Sequence, residues 1–429
     1  MVVKRRVTSA KKGPKKVKKP ALTIEQMLKE ADGAIEALDI SRANYLYQSA
    51  TKVLEEKLKD DSKISVILSK VLGKLGETKV SMGDQEGARQ DFERAIALLN
   101  DDDEWGDDIS KAQSTENKSS LYMNMGQLSS DDDALRAYNK GVELLETSIL
   151  FRETREKQSE RTTEDDASDE SYPVNELRKQ LCGAYCTIAE LYMTDLCFAD
   201  NAEAACEASV QKAMNVLDPF DGKPMVDALQ TLASLRISQS RGDEAVELIL
   251  DAYSKIKTGC EALAALVGLS EVENNGNEVE TAIELVEVEA ANSLPGFEFR
   301  CQTARILLEC TSICKEERNN PEKANQCANA AIQVLGSLLA ENDEVVETWY
   351  LTGCAFAALT PVSTEDAVCY FEQALDMLVK VKEGITSMEE EDCGQIVDLQ
   401  KQIEDVRDKL TVLGRDPEAS TDINMEETA

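Results

Sequence analysis

One spacing recurs five times along this chain and constrains its fold more than any other feature. A small residue is followed four positions later by a large apolar residue, and three positions after that by another small residue. On a helix these positions share one face, where the small residues let a neighbouring helix approach closely and the large residue fills the gap. The copies are Ala43/Tyr47/Ala50, Ala88/Phe92/Ala95, Ala134/Tyr138/Gly141, Ala245/Ile249/Ala252 and Ala367/Phe371/Ala374.

The segments before these helices complete a two-helix unit. Leu72, Leu75 and Gly76 precede one copy, and Gly83-Asp84 and Gly242-Asp243 supply turn residues between paired helices. This arrangement is typical of a tetratricopeptide (TPR) repeat. Weaker copies of the unit lie near Cys206, Ala324 and Ala282. Together the repeats predict an all-α TPR solenoid of seven or eight helical pairs over residues 23–382, wound as a right-handed superhelix. An ordinary helical bundle is the alternative fold.

The ends of the solenoid and the segments that interrupt it also have signatures. Thr23-Ile-Glu-Gln26 has the pattern of a capping box, and the amphipathic stretch 392–413 predicts a capping helix within the region 383–413. Highly polar segments cannot bury themselves and are predicted to be loops or disorder. These are the basic arm 1–22, the stretches 101–108 and 273–278, the acidic insertion 159–172 and the acidic tail 414–429.

The charge of the chain is large and unevenly distributed. The formal net charge is −35, but the first 20 residues hold nine Lys or Arg and no acid, so the remainder carries −44. An acidic body favours basic partners and disfavours direct contact with nucleic acid. The arm has the composition of a nuclear-import signal that an import receptor would bind, or of a tail that folds back on the body. Its import candidates are Lys11, Lys12, Lys15, Lys16, Lys18 and Lys19.

The residue inventory argues against catalysis and bound metal. The chain has no His, which excludes His-dependent triads and mixed Cys/His zinc sites. Its 12 Cys include the helical i, i+4 pairs Cys182/Cys186 and Cys310/Cys314, whereas zinc knuckles use tighter spacings. Because Cys206, and Cys369 or its neighbour, are assigned to small-residue positions, we interpret the thiols as reduced core fillers of a cytosolic or nuclear protein. No enzyme activity, metal, cofactor, small-molecule substrate or membrane segment is predicted.

The repeat geometry also predicts a ligand-binding face. The first helix of each TPR lines the groove, and its Leu/small pair fixes the register of each helix. This places Asp32, Glu77, Glu190 and Glu309 at one equivalent position, which Met123, Ser234 and Cys354 share in the other repeats. Further candidates lie a turn or two earlier on these helices: Glu25, Asp227, Glu347 and Tyr350. The alternative is that these acids are ordinary exposed helix residues of an acidic chain.

Two segments of the second half carry a narrower resemblance. Residues 293–309 contain Leu-Pro-Gly-Phe-Glu-Phe-Arg, and residues 331–359 contain Asp-Glu-Val-Val-Glu-Thr-Trp-Tyr-Leu. Over 225–382 the chain resembles the dedicated TPR-type assembly chaperones of large-subunit ribosomal protein four; the first half matches only as TPR.

That resemblance implies a non-enzymatic chaperone of the cytoplasm and nucleus. It would bind a newly made basic ribosomal protein through its long internal loop, keep it soluble and deliver it to nuclear pre-ribosome assembly. The alternative function is a TPR co-chaperone or scaffold that docks the acidic tails of heat-shock proteins, which would need a row of Lys, Arg and Asn on the first helices.

Overall fold

The computed structural model describes residues 22–58, 64–99, 108–159, 174–218, 222–267, 294–316, 319–386 and 393–416. These residues form fifteen α-helices and contain no strand, apart from one isolated bridge between Leu217 and Pro224. The prediction of an all-α repeat fold is confirmed. The basic arm up to residue 21, the segment 273–278, the unit around Ala282 and most of the acidic insertion lie outside the described residues.

The described helices belong to two compact units. The first unit holds three helical pairs: α1 (Ile24–Glu36) with α2 (Ile40–Leu58), α3 (Ile64–Ser81) with α4 (Gln85–Ala97), and α5 (Asp108–Gln127) with α6 (Asp131–Ser159). The second holds α7 (Val174–Met193) with α8 (Ala202–Asn215), α9 (Val226–Ser238) with α10 (Gly242–Val267), α11 (Phe297–Glu316) with α12 (Pro321–Glu341), α13 (Val346–Ala357) with α14 (Thr364–Thr386), and α15 (Cys393–Val412).

The small-large-small pattern forms the core of each pair. The large residues Tyr47, Phe92, Ile249 and Phe371 are at most 2% exposed, and the alanines on either side of them are fully buried. Burying a side chain of this size stabilises the fold by roughly 1.5–3 kcal/mol. The first helix contributes a small residue to the same contact, because a Cβ added to Gly76 would lie 2.4 Å from Cε1 of Phe92. Gly353 and Phe371 repeat this arrangement at 2.7 Å.

Local sequence signals fix several helix ends. The capping box at Thr23 is present: the Gln26 amide donates to Thr23 Oγ1 at 3.2 Å, and the Thr23 amide donates to Gln26 Oε1 at 3.0 Å. Gly83 has a positive φ of 80° in the α3–α4 turn, followed by Asp84 as the N-cap of α4. In the α9–α10 turn the positive φ falls instead on Ser240, at 57°, because Gly242 already belongs to α10.

Helix boundaries differ from the sequence prediction in three places. Helix α5 already begins at Asp108, and α6 extends to Ser159 at the start of the predicted insertion. The predicted tail 414–429 begins with three described residues, in which Gly414 adopts a φ of 81° and Arg415 Nε lies 2.8 Å from Glu372 Oε1. That ion pair holds the start of the tail against α14.

No helix of the described part of the chain is long and apolar enough to cross a membrane.

Candidate functional site on the first helices

Packing within each pair fixes the register of the first helices. The buried small residues Ala31, Gly76, Ala189, Ala233 and Gly353 occupy one equivalent position. The residues that follow them are the predicted Asp32, Glu77, Glu190, Ser234 and Cys354.

The register differs from the prediction in two of the seven pairs. In the third pair, a Cβ on Gly126 would lie 2.7 Å from the Tyr138 ring, so Gln127 is the equivalent residue. Met123 is instead directed at Gly141 of α6. In the sixth pair Thr311 is buried whereas Leu308 is only half-buried, so the equivalent residue is Ser312. The exposed Glu309 lies three residues earlier on α11.

In the first unit two of the three predicted acids have hydrogen-bond partners. Lys74 Nζ and the Tyr47 hydroxyl each lie 2.5 Å from Asp32 Oδ1. Desolvation alone would raise the pKa of Asp32, but the hydrogen bonds from Lys74 and Tyr47 outweigh it and lower the pKa. Asn124 Nδ2 donates to Glu77 Oε1 at 3.2 Å, and Glu25 is exposed in the first turn of α1.

Glu190 and Asp227 of the second unit lie in a different environment. They belong to α7 and α9, the first helices of adjacent pairs. Desolvation, and secondly the charge of Asp227, raise the pKa of Glu190. The Glu190 side chain is nevertheless exposed, so its carboxylate is accessible to a ligand. No cation of the described residues contacts the Glu190 carboxylate.

Asp227 is half-buried, and desolvation raises its pKa as well. A hydrogen bond from its own backbone amide and the charge of Lys179 lower the pKa only in part. The Lys179 ammonium donates to Glu176 Oε1 at 2.9 Å, so it is shared with another carboxylate. Glu190 and Asp227 are therefore two like charges that the fold holds near one another with little compensation.

Glu347 and Tyr350, two further predicted residues of the second unit, have partners from a neighbouring first helix and from α15. Arg305 on α11 donates through Nε and Nη2 to the two carboxylate oxygens of Glu347, each at 2.7 Å. The Tyr350 hydroxyl donates to Asp405 Oδ2 of α15 at 2.7 Å. Burial, and secondly this bond to Asp405, raise the pKa of Tyr350. We call Glu190, Asp227, Glu309, Glu347 and Tyr350 the second-unit face.

Sequence reasoning missed the residues that pair with these acids: Lys74, Arg305 and Asp405. A signal for two of them was present, because Asp32 and Lys74, and likewise Arg305 and Glu347, are separated by 42 residues. That spacing is close to one repeat, and opposite charges one repeat apart can meet on adjacent first helices.

Arg300, within the motif that carries the family resemblance, has a structural role. It is 2% exposed, and its Nε donates to the Pro295 carbonyl at 2.9 Å while Nη1 donates to Ser337 Oγ at 3.0 Å. It also pairs with Glu341. The motif therefore fastens the start of α11 to α12.

The cysteines form no metal-binding group among the described residues. Most are buried, and burial is the first cause that raises the pKa of Cys206 to about 11 and of Cys327 to about 12. Cys369 is exposed, so its assignment to a small-residue position is wrong; Ala367 and Ala374 fill those positions around Phe371.

Stacked helical pairs with a recurring small-large-small contact define a TPR-type repeat protein. No family model matches the chain. It is similar to the "Probable assembly chaperone of rpl4" of Schizosaccharomyces pombe (strain 972 / ATCC 24843), with 26% identity over 315 residues that cover 70% of this chain and 71% of that protein. The resemblance to assembly chaperones of ribosomal protein four is thereby confirmed.

A solved structure supports the fold. The assembly chaperone of RpL4 (Acl4), residues 1–338, matches with a TM-score of 0.51 and 22% identity, covering 78% of this chain and 95% of that one. Yeast Tom70 matches more weakly, with a TM-score of 0.38 and 14% identity over 95% of this chain and 68% of that one. At this identity the first likeness shows the fold alone.

Proposed function

We propose that this protein is a dedicated chaperone that binds newly made rpl4, keeps it soluble and delivers it to nuclear pre-ribosome assembly. The name of the Schizosaccharomyces pombe relative supports the choice of client. The structural observation that carries the proposal is the pair Glu190 and Asp227: the charge of Asp227 helps raise the pKa of Glu190, and no cation of the described residues contacts either carboxylate.

A basic client segment would supply the missing cations. Ribosomal proteins carry basic segments destined for RNA, and such a segment, before it meets RNA, needs an acidic partner to stay soluble. A Lys or Arg between Glu190 and Asp227 would relieve their repulsion. Removal of this repulsion, which is present in the free chaperone, would therefore favour binding of the client. On this account the protein acts by binding and carries out no chemical reaction.

The alternative, a TPR co-chaperone that docks acidic C-terminal tails, is less well supported. It requires cations on the first helices that are available to a carboxylate. Of the cations on these helices, Lys74 is paired with Asp32 and Arg305 with Glu347. Exposed cations such as Lys29 and Lys70 of the first unit remain, but they do not form a continuous row.

Affinity purification of the tagged full-length chain from cells, followed by mass spectrometry, tests the proposal. We expect rpl4 to be enriched far above other ribosomal proteins and above heat-shock chaperones. Enrichment of heat-shock chaperones without rpl4 would contradict it. A matched solubility assay would mix rpl4 with the wild-type chain or with the Glu190→Lys/Glu309→Lys variant and measure the rpl4 that remains in the supernatant.

Nuclear delivery is tested separately through the basic arm. If residues 11–19 bind an import receptor, replacing their six lysines by serine should move a fluorescent fusion from the nucleus to the cytoplasm without changing rpl4 binding in vitro. Unchanged nuclear accumulation would mean that the arm has no import role.

A further inference from the structure

A cavity of about 470 Å³ lies where α13, α14 and α15 meet. Its apolar walls are Val346 at the start of α13, Leu378 of α14 and Val406 of α15. Leu378 and Val406 are also buried residues of the local hydrophobic core, so the core itself forms the apolar side of the cavity. The volume falls within the range of about 300–1,000 Å³ that is usual for ligand pockets.

The polar residues around the cavity are fixed by contacts of their own. Tyr350 is held at one end by its hydroxyl bond to Asp405 and at the ring by Phe371, with centroids 5.9 Å apart. Glu347 is held by the two bonds from Arg305. The Glu347 and Asp405 carboxylates have partners, and the Lys401 ammonium lies 3.2 Å from Asp398 Oδ1. The cavity is therefore preformed and has little uncompensated charge.

The position of the cavity connects it to the candidate binding face. Glu347 and Tyr350 both line it and belong to the second-unit face. The same unit presents the carboxylates of Glu190, Asp227 and Glu309, none of which contacts a cation of the described residues. A ligand on this face would therefore meet acids on α7, α9 and α11 and an apolar pocket at α13.

We infer that this cavity binds a large apolar side chain of the client, embedded in the basic segment that the carboxylates of the second-unit face recognise. The inference rests on the proposed function and deepens it: the client is a segment with both cations and an apolar anchor. A buried anchor in a fitted pocket supplies binding free energy that salt does not screen. Helix α15 then has a second role, because its Asp405, Gln402 and Val406 form one side of the pocket.

A substitution at the rim tests the pocket without disturbing its walls. Gln402 is exposed and lines the cavity, so Gln402→Trp would fill the mouth of the cavity with an indole. Gln395 is an exposed residue of the same helix, two turns away and outside the cavity, so Gln395→Trp is the matched control. We expect Gln402→Trp to weaken binding of recombinant rpl4 by at least about tenfold, the effect of losing an interface anchor, and Gln395→Trp by less than about twofold.

A second measurement leaves the cavity unfilled. A photo-reactive benzoylphenylalanine at position 398, an exposed position one turn before Gln402 and outside the cavity lining, should cross-link to rpl4 at or beside a large apolar residue within a basic stretch, as mapped by mass spectrometry. Equal affinities of the two Trp variants, or cross-links confined to polar stretches, would overturn the inference while rpl4 binding by the wild-type chain still stood. Failure of the wild-type chain to bind rpl4 would instead contradict the proposed function.

Discussion

Arg305 and Glu347 meet across two successive first helices, with Nε and Nη2 of the guanidinium each 2.7 Å from a carboxylate oxygen. This fork neutralises one of the acids that the repeat pattern predicts for ligand binding. Glu190, on a first helix of the same unit, has no such partner among the described residues. The sequence pattern predicts both acids as ligand-binding residues, but they differ in their availability to a cationic ligand.

The first prediction separates these two acids. Glu190→Gln should weaken rpl4 binding more than the double variant Arg305→Gln/Glu347→Gln, because the double variant removes a neutral pair and leaves no unpaired cation on the face. Both partners of the Arg305–Glu347 pair are more than a third exposed, so losing the pair should change the free energy of unfolding by no more than about 1 kcal/mol. Interferometry and urea denaturation measure the two quantities. A larger loss of binding for Arg305→Gln/Glu347→Gln would reverse the assignment.

The second prediction concerns pH. The pKa values of Glu190 and Asp227 are raised in the folded chain, so the folded state binds protons more readily than the unfolded state. Ionisation of these two carboxylates at neutral pH therefore opposes folding, and the stability of the fold rises as the pH falls and they become protonated. Glu190→Gln/Asp227→Asn should therefore be more stable to urea than the wild type at neutral pH. The difference should shrink as the solution is acidified and the wild-type carboxylates become protonated.

Asp32→Asn is a control for that pH series, because it should lower the stability at neutral pH where Glu190→Gln/Asp227→Asn raises it. The pKa of Asp32 is lowered, since the hydrogen bonds from Lys74 and Tyr47 outweigh desolvation, so its ionised form stabilises the fold at neutral pH. Asp32→Asn should be less stable than the wild type there, and this deficit should diminish only as the pH falls through the lowered pKa. If the Glu190/Asp227 variant behaved like Asp32→Asn, its carboxylates would not be the uncompensated pair described above.

The third prediction tests the helix contact within a pair. Gly76→Ala should destabilise the chain by about 1–3 kcal/mol, since the added Cβ would lie 2.4 Å from the buried Phe92 ring. Gly33 is also helical but has nothing within 4 Å of an added Cβ, so Gly33→Ala should stabilise by about 0.5–1 kcal/mol. Thermal denaturation followed by circular dichroism compares them. Equal effects would contradict the close approach at Gly76.

The repeat fold could be predicted from the sequence because its signal is local. Ala88, Phe92 and Ala95 lie on one helical face whatever surrounds the helix, and their burial follows from that periodicity. The register of α5 could not be fixed in the same way. The apolar residues Leu121, Tyr122, Met123 and Met125 run across more than one turn, and only contact with Tyr138 identifies Gly126 as the residue that faces the second helix.

The acidic residues of the candidate site could likewise be predicted from the sequence. Whether each carboxylate is paired with a cation or desolvated could not. Whether an acid is available depends on side chains from other repeats, such as Lys74 for Asp32 and Arg305 for Glu347. Desolvation of Glu190 depends on the protein mass around it, which has no signature in the residues next to it in the chain. Asp405 reaches Tyr350 from a helix that the repeat pattern assigns only to capping.

The central claim is that particular carboxylates, and not overall acidity, capture a basic client. Glu190 and Glu309 are exposed, so Glu190→Lys/Glu309→Lys should leave the fold intact. Asp165→Lys/Asp166→Lys in the acidic insertion, outside the described residues, produces the same change in net charge and is the matched control.

Binding of rpl4 to these two variants and to the wild type, measured by interferometry at two salt concentrations, tests that claim most directly. We predict a large loss of affinity for Glu190→Lys/Glu309→Lys and a small one for the control. The wild-type association rate should fall steeply with added salt, since exposed charges are screened over about 8 Å at physiological ionic strength. Equal losses for the two double variants would contradict the account.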